Sequence, residues 1–587
     1  MSLWLDGVYA LSNHIWAVFI ILALCFWGIF VIRALLQRTV KPLTEIELLT
    51  LGATGWVFPV LLLSILTFII SLFTNIVIGG VFLVLIISFS SFFIFQEKIN
   101  LVTVLCFALF LSIFIVLRFA FLKDLFLPSY FDSAEHYHLI SLIIDSYRIG
   151  VISNGLKDVF YHVGFHFISA LCSVFLHVDV IDFMLSFGQI MLAFLSFSLF
   201  FVVKRETGSS LSAIFACLIC TFGFHMPAYS MNWGKYPALL GLMAMLFVFG
   251  LAYIFYRKDK FRVYRIFFVL LVAVALISVF IHSRTLIVFG SILIAFFITS
   301  WWNRLNSVCR LAGFCIAIFF LGILLSFVGN SVVLNPLIKS YFHDDFWMLL
   351  LILGLTFVSI LHYTKQSFFL IMWLVIIMLC LFIPVSLPTI GLQTLLDRPF
   401  VQMFVVVPLS ALGGLGIASL MELFRHLNTS QPIFRFFIPF VLFTLVISNV
   451  AINYRFYTSS CCRFVTLDDI AAFSWLEESL LSNKRILVAS SNLYINVVEG
   501  SQPPVGVDAG IWLSPLLSQE TAFADHNISF DIKSTYAELC VYGVDYIYVG
   551  GMPESFNSSE LDMHPNWYFS AFVLPSAKIY QVIGCEP

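Results

Sequence analysis

The densest group of ionisable side chains in an otherwise apolar chain is Tyr130-Phe-Asp-Ser-Ala-Glu-His-Tyr-His138. It sets two carboxylates and two imidazoles within seven residues. Asp132 and Glu135 are three apart and Asp132 and His136 four apart, so on a helix all three share a face. A carboxylate in such a place can act as a general base toward a hydroxyl nucleophile. The competing reading makes Asp132 only the cap of the helix that follows. A metal reading draws on the same residues: His162 and His166 are four apart and could join Asp132, Glu135 or His136. No His-Glu-x-x-His pattern occurs, and no ligand set is firm. A divalent ion would then be a weak assistant to a phosphate-bearing substrate, with Asp132 and His136 as its candidate ligands.

Three further clusters could recognise an anion. In His225-Met-Pro-Ala-Tyr-Ser-Met-Asn-Trp-Gly-Lys-Tyr-Pro237, Lys235 could face an anionic headgroup, while Trp233 and Tyr236 suit interface anchoring. His282 and Arg284 fall in a very short turn between apolar runs, where snorkelling is the alternative use of the Arg. Leu396-Asp-Arg-Pro399 opens a helix: the Arg398 fork matches phosphate oxygens, and the helix N-terminus behind it favours an anion. His343, Asp344 and Asp345 read as solvated loop charges. No G-x-G-x-x-G, G-x-S-x-G or P-loop is present, and Asn527 and Asn557 begin formal glycosylation sequons.

The elements that must hold these residues are membrane helices. Of 587 residues, 61% are hydrophobic and 11% charged, with mean hydropathy +1.04. Soluble chains run at about 45–50% apolar and about 25% charged, which excludes an ordinary soluble protein. A basic nucleic-acid binder is excluded too. Runs near the length of a spanning helix, about 20 residues, lie at 12–32, 50–73, 76–95, 101–121, 180–203, 209–226, 236–256, 266–281, 285–302, 311–330, 346–363, 367–386, 400–421 and 433–453. These fourteen are the expected spans. The shorter run 163–178 is expected to be re-entrant or interfacial. With that assignment the basic loops, such as Lys204/Arg205 and Arg257–Arg265, all fall on the cytoplasmic side. Loop 122–179, the turns holding Lys235, Arg284 and Arg398, and the C-terminal tail then share the opposite face. The N-terminus lacks a secretory signal pattern, so the first run is expected to be a retained helix.

Composition changes after Tyr454. Residues 1–454 carry 24 Lys+Arg and 17 Asp+Glu, or +7; residues 455–587 carry 6 and 15, or −9. The tail is expected to be an extracytoplasmic α/β domain, beginning with a helix capped by Thr466 and continuing through strands at 485–490, 545–549 and 578–583. At about 130 residues it can bury its own core. Cys461, Cys462, Cys540 and Cys585 lie there, allowing one or two disulfides without fixing the pairing. Cys217 and Cys220 have zinc-like spacing but sit in an apolar run, as small buried hydrophobes do.

In order, the chain shows an acidic first large outside loop, Tyr161-x-x-Gly-Phe-His166, Trp233-Gly-x-x-Pro237, a lone outside His282, Asp397-Arg398 before a helix ending Gly413-Gly-Leu-Gly416, and an α/β tail. This resembles the multispanning glycosyltransferases of the GT-C superfamily, in a prokaryotic branch with that layout. The resemblance covers most of residues 120–587. It implies an inverting transferase in the plasma membrane, using a polyprenyl-phosphate-linked sugar and a glycan, lipid or protein acceptor on the outer face, amid membrane lipids and without nucleic acid. It maps the essential carboxylate onto Asp132, with Glu135 as the nearby alternative. It makes Arg398, then Lys235, the holder of the lipid phosphate, and matches His166 to the Gly-Phe-His segment; His282 and Arg284 are further substrate-binding candidates. His162 stands where the family has Pro, and a clear Asp-x-Asp is missing. Rival readings are a polymerase or ligase of lipid-linked polysaccharide, and a transporter or flippase, though no internal repeat is visible.

Overall fold

Apolar runs long enough to satisfy every backbone group internally form helices, because the bilayer core offers no hydrogen bonds to exposed amides. The computed structural model describes residues 2–39, 43–95, 99–157, 161–257, 264–302, 343–387, 391–426, 433–492 and 504–585, with single residues 304, 319 and 323. Among these the protein is mainly helical, and eight helices are long and apolar enough to cross a membrane. They are Ile15–Thr39, Leu101–Leu122, Val180–Thr207, Ser210–Trp233, Tyr236–Phe255, Thr285–Trp302, Thr364–Phe382 and Arg398–Phe424. The bent pair Glu45–Gly55 and Val57–Phe73 makes a ninth if it is counted as one span.

With that pair, nine of the fourteen expected runs are matched among the described residues. The runs at 76–95, 266–281, 346–363 and 433–453 contribute shorter apolar helices, and 311–330, apart from residues 319 and 323, lies outside the described residues. Run 163–178 forms the Gly164–Leu176 helix of 13 residues. At about 1.5 Å per residue it falls well short of a hydrocarbon core about 30 Å thick. Three helices form the centre of the bundle: the apolar stretches of Val180–Thr207, Tyr236–Phe255 and Arg398–Phe424 are almost wholly covered by protein, whereas Thr285–Trp302 and Thr364–Phe382 are covered over only 33% and 39%.

Two arginines of the bundle meet carboxylates, as a low-dielectric surrounding favours. Arg33 is fully buried and donates from Nε and Nη2 to Glu45 at 2.7 and 2.8 Å. Arg205 meets Glu47 at 3.3 Å.

The tail forms a mixed six-stranded sheet. Its strands are β3 (Arg485–Asn492), β4 (Pro504–Gly506), β5 (Glu520–Asp525), β6 (Tyr546–Val549), β7 (Tyr568–Val573) and β8 (Lys578–Val582); β1 (Pro384–Leu387) and β2 (Gly391–Thr394) make a separate hairpin in the membrane part. The central order is β3-β6-β8-β7, with β5 pairing along β3 and β4 pairing with the last three residues of β3. β3 runs parallel to β5 and β6, and β8 runs antiparallel to β6 and β7. Thr466 and Asp469 close a capping box at the head of helix Leu467–Ser479, the amide of Thr466 donating to Asp469 at 2.7 Å. Cys540 and Cys585 form a disulfide. Cys217 and Cys220 are buried free thiols.

The sheet domain rests on the membrane part through helix Tyr130–Ile149. Leu127, Ala134, Tyr130 and Tyr137 join one hydrophobic cluster with Phe473, Leu476, Trp512 and Tyr548. The rings of Tyr137 and Trp512 meet edge to face with centroids 5.9 Å apart. The acidic segment therefore lies between the helix bundle and the tail.

Candidate functional site

Helix Tyr130–Ile149 begins after Ser129 in the N-cap position. Asp132 is therefore a first-turn residue rather than the cap expected from the sequence. Its carboxylate is ion-paired with Lys235 instead. Burial pushes the Asp132 carboxyl above its ordinary range, Lys235 pulls it back, and Asp397 adds to the rise.

Gly234 makes this pairing sterically feasible. Its φ is +64°, in the left-handed region, and a Cβ there would lie 2.8 Å from the backbone nitrogen of Ser133. The Trp-Gly-Lys turn can thus lie directly on the start of the Asp132 helix. Gly164 does the same for the Gly-Phe-His segment: a Cβ there would lie 2.8 Å from the carbonyl oxygen of Phe280. Helix Gly164–Leu176 is thereby seated against the turn that carries His282 and Arg284.

Four imidazoles meet in the space so formed. His136 Nδ1 and His166 Nε2 are 3.1 Å apart and share a hydrogen bond. His162 stacks on Tyr161 with centroids 3.8 Å apart and meets His282, tilted, at 3.9 Å, and His282 continues onto Phe400 at 4.5 Å. Burial holds His136 and His282 well below the usual imidazole range and lowers His162 to about 3, so these three rings are neutral at physiological pH. A neutral ring keeps one nitrogen as an acceptor, and His162 Nε2 and His166 Nδ1 are buried with no partner among the described residues.

Arg284 is not snorkelling. It is ion-paired with Asp397, and its Nη2 donates to Gln393 at 2.9 Å. Asp397 also accepts from the amide of Phe400 at 2.9 Å, capping the helix that starts at Arg398. Arg398 is half-buried, and its Nε has no hydrogen-bond partner among the described residues. Tyr130, whose φ of +67° is unusual for an aromatic residue, lies within electrostatic reach of both Asp132 and Arg398. Burial raises its hydroxyl pKa, Asp132 adds to the rise, and Arg398 opposes it.

Asp132, Lys235, His136, His166, His282, Arg284 and Arg398 thus belong to one connected region. Glu135 stands apart from the pairs: it is exposed and makes no ion pair among the described residues. Asp345, expected in solvent, is instead buried and bonded to His225, accepting from its amide at 3.1 Å; His343 keeps the expected exposure. Gln393 was not singled out from the sequence, and Tyr130, Tyr161 and Asp397 entered only as parts of motifs, without a role of their own. For Asp397 a signal existed, since it directly precedes Arg398, but its partner is remote in the chain. Among the described residues no group of three or more His, Cys, Asp or Glu is arranged to hold a metal ion. Asp132 is engaged by Lys235 and His136 by His166.

Compared with known proteins, the sequence matches no family model and no curated relative.

Proposed function

We propose that the chain is an integral-membrane glycosyltransferase that moves a sugar from a polyprenyl-phosphate donor to an acceptor hydroxyl on the outer face. The observation that carries this reading is a mostly buried carboxylate paired with an ammonium, beside a guanidinium whose Nε has no partner among the described residues, at the ends of apolar helices. A membrane-anchored anion and a hydroxyl to be deprotonated need that combination at that depth.

In the proposed step the acceptor O–H proton passes to Asp132 while its oxygen attacks the anomeric carbon. The bond from that carbon to the phosphate oxygen breaks, and polyprenyl phosphate leaves with the electron pair. One displacement inverts the anomeric centre. Arg398 and Lys235 stabilise the growing phosphate charge. The arriving phosphate competes with Asp132 for Lys235, so donor binding frees the carboxylate and makes it more basic. No step is routed through a metal ion.

The finer topology belongs to the same proposal. Fourteen crossings, with 163–178 re-entrant, put the basic loops in the cytoplasm and the site and tail outside. Cysteines placed singly at Lys365 and Ser459 in protein whose Cys461 and Cys462 are replaced with Ser, probed in intact cells with an impermeant maleimide, test it: labelling at 459 alone is expected, and labelling at 365 alone overturns it.

The activity test incubates the purified full chain with a panel of polyprenyl-phosphate sugars and acceptors and follows release of polyprenyl phosphate. Release by the wild type and its loss in folded Asp132→Asn are expected. Full release by Asp132→Asn with loss in Arg398→Ala would favour a polymerase or ligase site built on the arginines.

A further inference from the structure

The linker from the last membrane helix to the sheet domain is tied down on both sides of two adjacent cysteines. Tyr457 donates to Asp6 at 2.7 Å, Thr458 to the carbonyl of Phe121 at 2.7 Å, and the amide of Ser459 to Asn232 at 2.8 Å. Beyond the pair, Phe464 packs on Tyr130, with centroids 5.3 Å apart. Cys461 and Cys462 lie between these anchors in the short turn Ser460–Cys462, with their sulfurs 2.7 Å apart. Cys462 is buried and Cys461 exposed, its sulfur 4.0 Å from the Tyr229 hydroxyl.

Contact this close between two thiols is what precedes bond formation. The same domain already contains the Cys540–Cys585 disulfide, so its surroundings support oxidation. Cys25, Cys172, Cys217, Cys220 and Cys380 are buried, and Cys106 lies on an apolar membrane helix. Among the described residues, Cys461–Cys462 is therefore the dithiol that a soluble reagent can reach. We infer that Cys461 and Cys462 are a thiol–disulfide exchange site that closes to a vicinal disulfide. The hydrogen bond from Cys462 supports the chemistry by lowering Cys461 to about 6, which makes it the attacking thiolate at neutral pH.

The co-reactant is a disulfide in the compartment that holds the tail. Cys461 attacks one of its sulfurs, forming a mixed disulfide and expelling a thiolate that takes up a proton. Cys462 then loses its proton and attacks Cys461 Sγ, expelling the second thiolate. Two electrons pass from the cysteine pair to the donor, which leaves as two thiols. Adjacent Cα atoms are only about 3.8 Å apart, below the roughly 4.4–6.8 Å usual across a disulfide. The ring is therefore more easily reduced than Cys540–Cys585, whose Cα atoms are 5.4 Å apart. The linker rests on the Tyr130 and Tyr229 segments, beside the candidate site.

The test uses the purified full chain, reduced with dithiothreitol and reoxidised with oxidised glutathione. Free thiols are blocked with N-ethylmaleimide under denaturing conditions, and tryptic peptide 456–463 is weighed. The expected peptide carries no maleimide and is two hydrogen atoms lighter than its reduced form. On titration with dithiothreitol it should open at a lower concentration than the Cys540–Cys585 pair. Cys462→Ser protein should instead accumulate the glutathione adduct at Cys461. The inference is overturned if wild-type peptide carries two maleimides, or glutathione, while Cys540–Cys585 in the same sample is oxidised. The readout is of thiols alone, so the outcome is independent of the transferase proposal.

Discussion

The Asp132 carboxylate is ion-paired with the Lys235 ammonium, with the two side chains only 18% and 20% exposed. A pair so shielded is screened little by salt, and each partner sets the other's chemistry. Asp132 is available as a base only to the extent that something else satisfies Lys235, and the anion expected at this site would do so.

Asp132→Asn keeps the side-chain volume but removes the proposed base. Transfer is expected to fall by about 10²–10⁴-fold, the usual contribution of a positioned base. Expression level and melting temperature should stay near wild type. Full transfer by well-folded Asp132→Asn protein would show that the base lies elsewhere.

The pH profile carries a sign. A base works when ionised, so the rate falls as pH drops through the Asp132 pKa, which burial raises and Lys235 lowers. The acid limb should therefore stand above the ordinary carboxylate range, about pH 4. Lys235→Ala removes the lowering influence, so its limb should move to higher pH, seen as a displaced midpoint in kcat/KM against pH. An unmoved limb would detach Asp132 from the rate.

Arg398→Ala should weaken retention of polyprenyl phosphate by about tenfold or more, since a hydrogen bond to a charged group contributes about 1.5–3 kcal/mol. Equilibrium binding of polyprenyl phosphate in detergent measures this directly. Arg398→Lys should recover part of the loss, keeping the charge but not the fork. Equal affinity in all three proteins would move the phosphate away from this helix end.

Gly234→Ala should separate Lys235 from Asp132. The new methyl group meets the start of the Asp132 helix while the backbone is at φ +64°. A cost of about 1–3 kcal/mol is expected from overcrowding. The acid limb should shift in the same direction as in Lys235→Ala. Gly164→Ala, pressed against Phe280, should lower thermal stability by a similar amount without that pH signature.

Replacing Cys540 and Cys585 together with Ser opens a loop closed over 45 residues. A loss of about 2–4 kcal/mol is expected. Thermal or denaturant unfolding of the full chain, followed by the fluorescence of the tail's buried Trp512, would register it. An unchanged transition would mean that the sheet core alone holds the domain.

Much of the architecture follows from local chemistry in the chain. Long apolar runs such as 180–203 and 236–256 become helices because backbone groups in hydrocarbon have no other partners. The Thr466-Leu-Asp-Asp start and strands such as 485–490 follow from capping and short apolar patterns. Pairing was not legible in this way. Lys235 with Asp132, Arg284 with Asp397, His162 with His282 and Cys540 with Cys585 join segments remote in sequence, and their partners are set by how helices pack and turns cross. Span number was only partly legible, since hydropathy reports polarity while a crossing also depends on length and bend, as at residues 45–73. The sequence by itself determined which residues can bear charge at the helix ends. Only the tertiary structure decided that Asp132 meets an ammonium rather than capping its own helix, because burial and proximity belong to the packed bundle and not to any one segment.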